Sequence, residues 1–433
     1  MRIDIVNGSV VTGDGQSFLE DTSVIIEDCL IADLPRVRYI QYNLYADRYI
    51  DARGGLILPG IINIHAHNIS FAPVFASSCR RRIPKERVLF NLNTHLLQGT
   101  TTLLNDDGFA MPYEIEAVNK IHPVTVKTST LHTPKNVRVA EITDGEALDD
   151  RNKRFTAEEA LAFGAVAIGE VGPPTSSYGT FEKSRKLGKA ISAQNAKALD
   201  TAVLAGDEAR IRKALIDLGL ESMSVEQGKK LVEETTILGI EAGRDAIKES
   251  VGYVKKLNIP VLVHTESYTR EVILEAAQKL GSKLVALHVN NHFSPRDAIE
   301  IAKALRSAGA ILEVSTMDFF SVKQVEASPE TTFALLKEGL VDVITTDYSG
   351  GYHEPILLVL QKAIEERIIT LPHAIQLATS APARIVPRLA PNKGLIEPGR
   401  VADLCVVDRN DISKVRHVII AGRVVVEDGK IVV

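Results

Sequence analysis

Cysteine is scarce in this chain: three in 433 residues, Cys29, Cys79 and Cys405, far apart and without a CxxC spacing. No disulfide framework and no thiolate zinc site can be built from them, and a reducing, cytoplasmic compartment is expected. Tryptophan is absent and aromatic residues make up 5% of the sequence, while 50 basic against 55 acidic side chains leave a net charge of -5. A nucleic-acid groove wants a basic field and stacking rings, so nucleic acid is not an expected partner. The opening MRIDIVNGSVVTG lacks a basic stretch followed by an apolar one and reads as a first strand, not a signal peptide. Gly54 to Cys79 is uncharged and long enough to span a bilayer, yet it carries His65, His67, Asn63, Asn68, Pro59 and Pro73. Burying those groups in lipid is too costly, so the stretch reads as buried protein and no membrane partner is expected.

What is present is an average soluble composition, 45% hydrophobic and 24% charged, which fits a large globular core. Residues 1–58 and 390–433 share short β-branched runs broken by turn residues, such as DTSVIIED and ADLCVVD. They predict a small β-sandwich domain assembled from both termini. Between them, over 59–389, apolar runs alternate with amphipathic stretches of helical period. The runs are IINIHAHNI (61–69), TTLLNDD (101–107), VTVKTSTLH (124–132), AVAIGEVG (165–172), PVLVHTES (260–267), LVALHVNN (284–291), AILEVSTMD (310–318) and DVITTDYSG (342–350). Eight strand–helix units predict an α/β fold of the (β/α)8 TIM-barrel type, with all strand C-termini opening on one face; an open doubly wound sheet is the alternative. Thr156–Glu159 and Ser224–Gln227 read as capping boxes, and Ser294–Pro295 as an N-cap before a first-turn proline. The gap from Val171 to Pro260 is far longer than the roughly 20–30 residues of one crossover, which implies a helical insertion over about 176–250. It is read as a surface elaboration or oligomer contact, with a lid over the site as the sharper alternative.

His65-Ala-His67 on the first run carries the strongest chemical signal. Residues two apart on a strand point to one face, about 7 Å apart at Cα, which suits one metal ion; two hydrogen-bonded core histidines are the bland alternative. Glu170, His264, His288 and Asp347 each follow apolar residues at the end of a later run, where a strand emerges on the catalytic face. Four imidazoles and two carboxylates converging there need cations to offset their desolvation. Nitrogen and oxygen donors without thiolate suit one or two divalent transition-metal ions, zinc first, with iron, manganese or cobalt as alternatives. His288-Val-Asn-Asn-His292 would present two imidazoles on a helix, but it lacks the glutamate a zincin requires, and its surroundings read as strand.

With GGLILPGIINIHAH near the start, these strand-end residues, and ATSAPARIVPRLAPNKGLIEPGRVADLCVVD near the end, the chain resembles the metal-dependent amidohydrolase superfamily over nearly its whole length. The resemblance implies that His65, His67 and Asp347 hold a first ion, that His264 and His288 hold a second, and that Glu170 bridges them. In the commonest version of the family a carbamylated lysine bridges; here Lys127 lies one strand early, and a glutamate is similar to the branch containing enamidase and adenine deaminase. Two cations sharing a water would bring its pKa toward about 7 and supply hydroxide. Asp347 would then carry a proton to the leaving nitrogen. The implied reaction is hydrolysis of an amide-type C–N bond in a small-molecule substrate, a cyclic amide, lactam or imide foremost. An aminopurine-type deaminase, a small-molecule deacetylase and, outside enzymes, a metal-free scaffold barrel are the other readings. His132, ending the third run, is a further catalytic candidate. Tyr178, Tyr268, His292 and Arg81, within Arg80–Arg82, are the substrate-binding candidates, with Tyr348 and His353 also past strand ends. A homo-oligomer is expected.

Overall fold

In the computed structural model, residues 1–36, 46–74, 78–142, 148–173, 176–291, 293–317, 328–348 and 353–433 are described, with backbone alone at 74, 78–81, 176–178, 181 and 193. The eight expected runs become eight parallel strands: β1 (Ile61–Ala66), β2 (Thr100–Asn105), β3 (Thr125–Thr130), β4 (Ala167–Val171), β5 (Val261–His264), β6 (Leu284–Leu287), β7 (Ile311–Ser315) and β8 (Val343–Thr345). Each pairs with its sequence neighbour. The two edges meet where the Asp347 N–H donates to the His65 carbonyl at 3.0 Å and the His67 N–H to the Tyr348 carbonyl at 2.6 Å. The sheet is therefore an all but closed barrel, the TIM type the sequence predicts.

Ile62, Leu104, Leu262, Val285, Leu287 and Val343 pack inside with Ile385, the last residue of the helix Ser380–Ile385, and with Val386 and Leu389 just after it. Apolar filling at the strands' N-terminal ends makes the barrel a solid scaffold and leaves the polar side chains together at the opposite mouth. Lys127 is not among them: it donates to the carbonyl of Arg388, in the segment that closes the N-terminal end.

The termini build two further sheets. One orders Leu30–Asp33, Val24–Glu27, Arg2–Val6 and Arg48–Asp51; the other runs from Lys430–Ile431 through Val415–Ile420, Leu404–Val407 and Leu56–Pro59 to Phe18–Leu19. Ile57, Leu404 and Val406 pack against Ile3, Ile5 and Ile26 of the first sheet, forming a sandwich core. Their alternates Leu56, Leu58, Cys405 and Val407 join the core of the barrel's outer layer. Burial on both faces is why these strands read as uninterrupted apolar runs.

All three sequence-predicted helix starts form: Thr156 and Ser224 cap reciprocally with Glu159 and Gln227, and Ser294 caps a helix with Pro295 in its first turn. After β4 come four short helices, Ser176–Leu187, Ala193–Leu204, Glu208–Asp217 and Val225–Val232, around their own core of Leu199, Ile211, Leu215 and Leu231. A π-helical turn, Glu233–Ile237, leads into the long helix Leu238–Leu257. That helix packs on Pro134–Ile142 and Arg270–Leu280, the position of an ordinary crossover helix. Among the described residues no helix is long and apolar enough to cross a membrane.

Candidate metal centre

His65 lies in β1 and His67 one residue beyond it, Glu170 in β4 and His264 at the end of β5; His288 follows β6 and Asp347 lies two residues past β8. All six are buried, and they meet at the barrel mouth. His288 and Asp347 stand in left-handed backbone, φ 36° and 47°, a conformation that costs L-residues about 1 kcal/mol or more. Both are tied there through their N–H groups, Asp347 to the His65 carbonyl at 3.0 Å and His288 to the Glu313 carboxylate. Gly172 makes room on the other side, since a Cβ on it would come within 2.6 Å of the His264 Cβ.

Glu170 divides its carboxylate between the two halves of the cluster. Its Oε1 lies 2.6 Å from His264 Nδ1 and 2.9 Å from His288 Nε2. Its Oε2 lies 3.6 Å from His65 Nε2 and 3.5 Å from His67 Nε2. His65 Nε2 is 3.3 Å from His67 Nε2. Asp347 Oδ1 completes that group at 3.4 Å from His65 Nε2 and 3.8 Å from His67 Nε2. Four donors around an ion with bonds near 2.1 Å would be separated by tetrahedral edges of about 3.4 Å. The separations around His65, His67, Asp347 and Glu170 match that spacing, so these residues fit a cation. The His264–Glu170–His288 half stands at hydrogen-bond spacing instead, and His264 reaches the centre through Glu170.

The charge balance points the same way. Besides Glu170 and Asp347, the buried carboxylates Asp106, Asp107, Glu266 and Glu313 surround the four imidazoles. Asp107 Oδ1 is 3.0 Å from His67 Nδ1, and Glu266 Oε1 is 2.9 Å from His264 Nε2. Burial opposes the charged form of His67, but Asp107 and Glu170 outweigh it and raise the imidazole to about 10. Against the same opposition, Glu170 and Glu266 raise His264 to about 10. Asp106, with no hydrogen-bond partner on either carboxylate oxygen among the described residues, is pushed by burial to about 7. A cluster richer in carboxylates than in imidazoles draws positive charge into a desolvated space, which a bound cation supplies. Asp347 has the most accessible side chain of the six, at 10% against 0–7% for the others.

The remaining candidates scatter. His132 is buried, its Nδ1 3.0 Å from Thr130 Oγ1 and its ring edge-on to both Phe109 and Phe155, with Nε2 unpartnered among the described residues. Burial lowers it to about 4, so it is neutral at physiological pH. Tyr268 sits half-buried in the 3-10 turn Ser267–Thr269 just past β5. Tyr178 falls in the first inserted helix and Arg81 in the strand Ser78–Arg82, each described by its backbone alone. His292 lies outside the described residues. Arg82 is committed to Glu114 and Asn152, and the Tyr348 hydroxyl donates to Asn91 Oδ1 at 2.6 Å. His353 Nε2 lies 3.0 Å from Gln98 Oε1 and its ring stacks on His95.

Sequence reasoning missed Asp107, Glu266 and Glu313. A signal existed for each: Glu266 is two residues from His264, Asp107 ends an apolar run, and Glu313 interrupts one. A charged residue inside a buried strand is rarely there without a partner.

Residues 235–425 match the amidohydrolase family. Over 431 aligned positions the chain is 21% identical to a dihydroorotase of Lactobacillus gasseri, covering 90% of this chain and 88% of that protein. Among solved structures it is similar to a beta-aspartyl dipeptidase from Fervidobacterium islandicum AW-1, with a TM-score of 0.59, 15% identity and coverage of 100% and 98%. It is also similar to an L-hydantoinase (dihydropyrimidinase) from Arthrobacter aurescens, with a TM-score of 0.55, 15% identity and coverage of 100% and 97%. At such identities the solved structures speak for the barrel and its terminal sheets. The family match covers residues 235–425, the barrel's second half and part of the terminal sheet, and with the dihydroorotase relative it makes the chain similar to the amidohydrolases, hydrolases of carbon–nitrogen bonds other than peptide bonds.

Proposed function

We propose that this enzyme opens the C–N bond of a cyclic amide, a lactam or imide ring. The position of Glu170, with one carboxylate oxygen toward each pair of histidines, supports metal-assisted hydrolysis. The dihydroorotase and hydantoinase relatives support the cyclic substrate class.

His65, His67 and Asp347 would hold a first divalent ion, His264 and His288 a second, and Glu170 would touch both. Zinc is the foremost candidate, because the donors are nitrogen and oxygen in a near-tetrahedral group. Such ions, when bound, supply the Lewis acidity that makes water a nucleophile near neutral pH and polarises a carbonyl. Glu170 keeps the two histidine pairs in register. Asp347 would take a proton on its carboxylate and pass it to the departing ring nitrogen. Asp107 and Glu266 fix which nitrogen of His67 and His264 faces the centre, since each accepts from the ring's far side. Neutral His132, whose Nε2 has no partner among the described residues, is the proposed group for polarising a substrate carbonyl. Tyr178, Tyr268, His292 and Arg81, all beyond barrel-strand ends in the sequence, are retained as proposed substrate contacts.

Cys29 and Cys405 are free thiols, which suits a cytoplasmic enzyme. A homo-oligomer is part of the proposal, with the inserted helices as the surface it would use.

A panel of dihydropyrimidines, hydantoins, dihydroorotate, a β-aspartyl dipeptide and aminopurines, assayed with divalent metal, tests the proposal. Ring opening supports it. Ammonia release from the aminopurines, or turnover of the dipeptide alone, would replace it with a different substrate class.

A further inference from the structure

Glu313 lies in the middle of β7 and is completely buried. An ionised carboxylate there must be satisfied by what surrounds it. One oxygen, Oε2, accepts from the backbone N–H of His288; the other, Oε1, accepts from the Thr345 hydroxyl in β8 and stands 3.6 Å from His65 Nδ1. Two groups of the candidate centre, on strands far apart in sequence, therefore face one side chain.

The chemistry of each contact is specific. His65 turns Nε2 toward His67, Asp347 and Glu170. A nitrogen that donates its lone pair in that direction leaves the ring proton on Nδ1, which is buried with no hydrogen-bond partner among the described residues. Glu313 Oε1 is an acceptor within ion-pair reach of it. At His288 the contact is to the main chain. That residue holds φ at 36°, and an N–H fixed by a carboxylate offsets the cost of the left-handed backbone that aims its ring at Glu170.

We propose that Glu313 is a positioning residue that orients His65 through its ring and His288 through its backbone, so that one buried carboxylate couples the two halves of the centre. The role rests on reading the cluster as a metal centre. It predicts that damage at Glu313 loosens both ions together, although Glu313 ligates neither.

The test is chelator competition on the metal-loaded enzyme, with zinc and with cobalt, comparing wild type, Glu313→Gln, Glu313→Asp and the core variant Leu312→Ala. Gln has a single acceptor oxygen and cannot serve both His288 and His65. Glu313→Gln is expected to release metal at about tenfold to a hundredfold lower chelator concentration, with a changed visible spectrum of the cobalt form. Glu313→Asp, which keeps the charge on a shorter arm, falls in between. Leu312→Ala lowers the melting temperature but leaves affinity and spectrum alone, and it stands as the control for stability. Metal retention and spectrum in Glu313→Gln equal to wild type, or changed no more than in Leu312→Ala, would overturn the proposal while leaving the metal centre in place. Failure of the wild type to take up any divalent ion would overturn both.

Discussion

Asp347 meets His65 twice: its N–H donates to the His65 carbonyl at 3.0 Å, and its Oδ1 lies 3.4 Å from the His65 Nε2. The first contact closes the barrel between its last and first strands, and the second builds the centre. Barrel closure and site assembly are thus one event, which is why a residue 282 positions along the chain from His65 lands beside it with so little freedom.

Asp347→Asn separates the two contacts. The backbone bond to His65 survives, while the carboxylate that would carry a proton is lost. We expect turnover of the ring substrate to fall by about 10²–10⁴, with the melting temperature within a few degrees of wild type. Steady-state kinetics beside thermal melting checks this; retained turnover would remove Asp347 from the proton path.

His132 gives the fold an acid limit. Burial lowers it to about 4 in the folded chain, against about 6.5 when unfolded. Below the unfolded value the unfolded state takes up the proton first, so stability is lost as pH falls from about 6.5 toward 4. The loss from this residue alone between pH 7 and pH 5 is on the order of 2 kcal/mol. Denaturant melts at the two pH values should show wild type losing that much more than His132→Gln; equal losses would contradict the assignment.

In the inserted helices Lys183 is fully buried, its Nζ 2.7 Å from Asp200 Oδ1 and 2.7 Å from Thr236 Oγ1. Lys183→Met strands the Asp200 charge, at a cost of about 3–5 kcal/mol. Because that helical unit has its own core, hydrogen exchange should accelerate over the inserted helices and leave β1–β8 protected. Adding Asp200→Leu should restore much of the protection.

Cys405 is buried on the barrel-facing side of the terminal sheet, and burial raises its thiol to about 12. In a Cys29→Ser, Cys79→Ser background it should resist a thiol reagent until denaturant is added. Rapid labelling of the native protein would mean that the terminal sheet detaches from the barrel.

Much of this was legible in the sequence because period and position carry it. The β1 histidines share a face by strand alternation, and Glu170, His264, His288 and Asp347 each end an apolar run, so the barrel's single polar mouth follows from counting strands. Less legible was what stands behind these six residues. Whether Glu313 is a solvated charge or a buried acceptor depends on His288 and Thr345, which only the folded barrel brings to it. The inserted segment was legible as helical but not in its end: four short helices precede the crossover helix, and the expected span of 176–250 takes in most of the crossover helix Leu238–Leu257 itself. Both share one amphipathic texture, and only packing tells them apart. His132 likewise ends a strand as expected, yet its ring lies between Phe109 and Phe155, two aromatic neighbours that local sequence does not announce.

The central claim is that six residues, Glu170 and the five around it, hold inorganic cations. Elemental analysis after chelator dialysis and reconstitution with zinc addresses it without any substrate. The account predicts about one to two equivalents per chain, falling to background in the His65→Ala, His67→Ala double variant while the barrel stays folded. A wild-type chain that returns metal-free from reconstitution, or a double variant that binds as much as wild type, would contradict it.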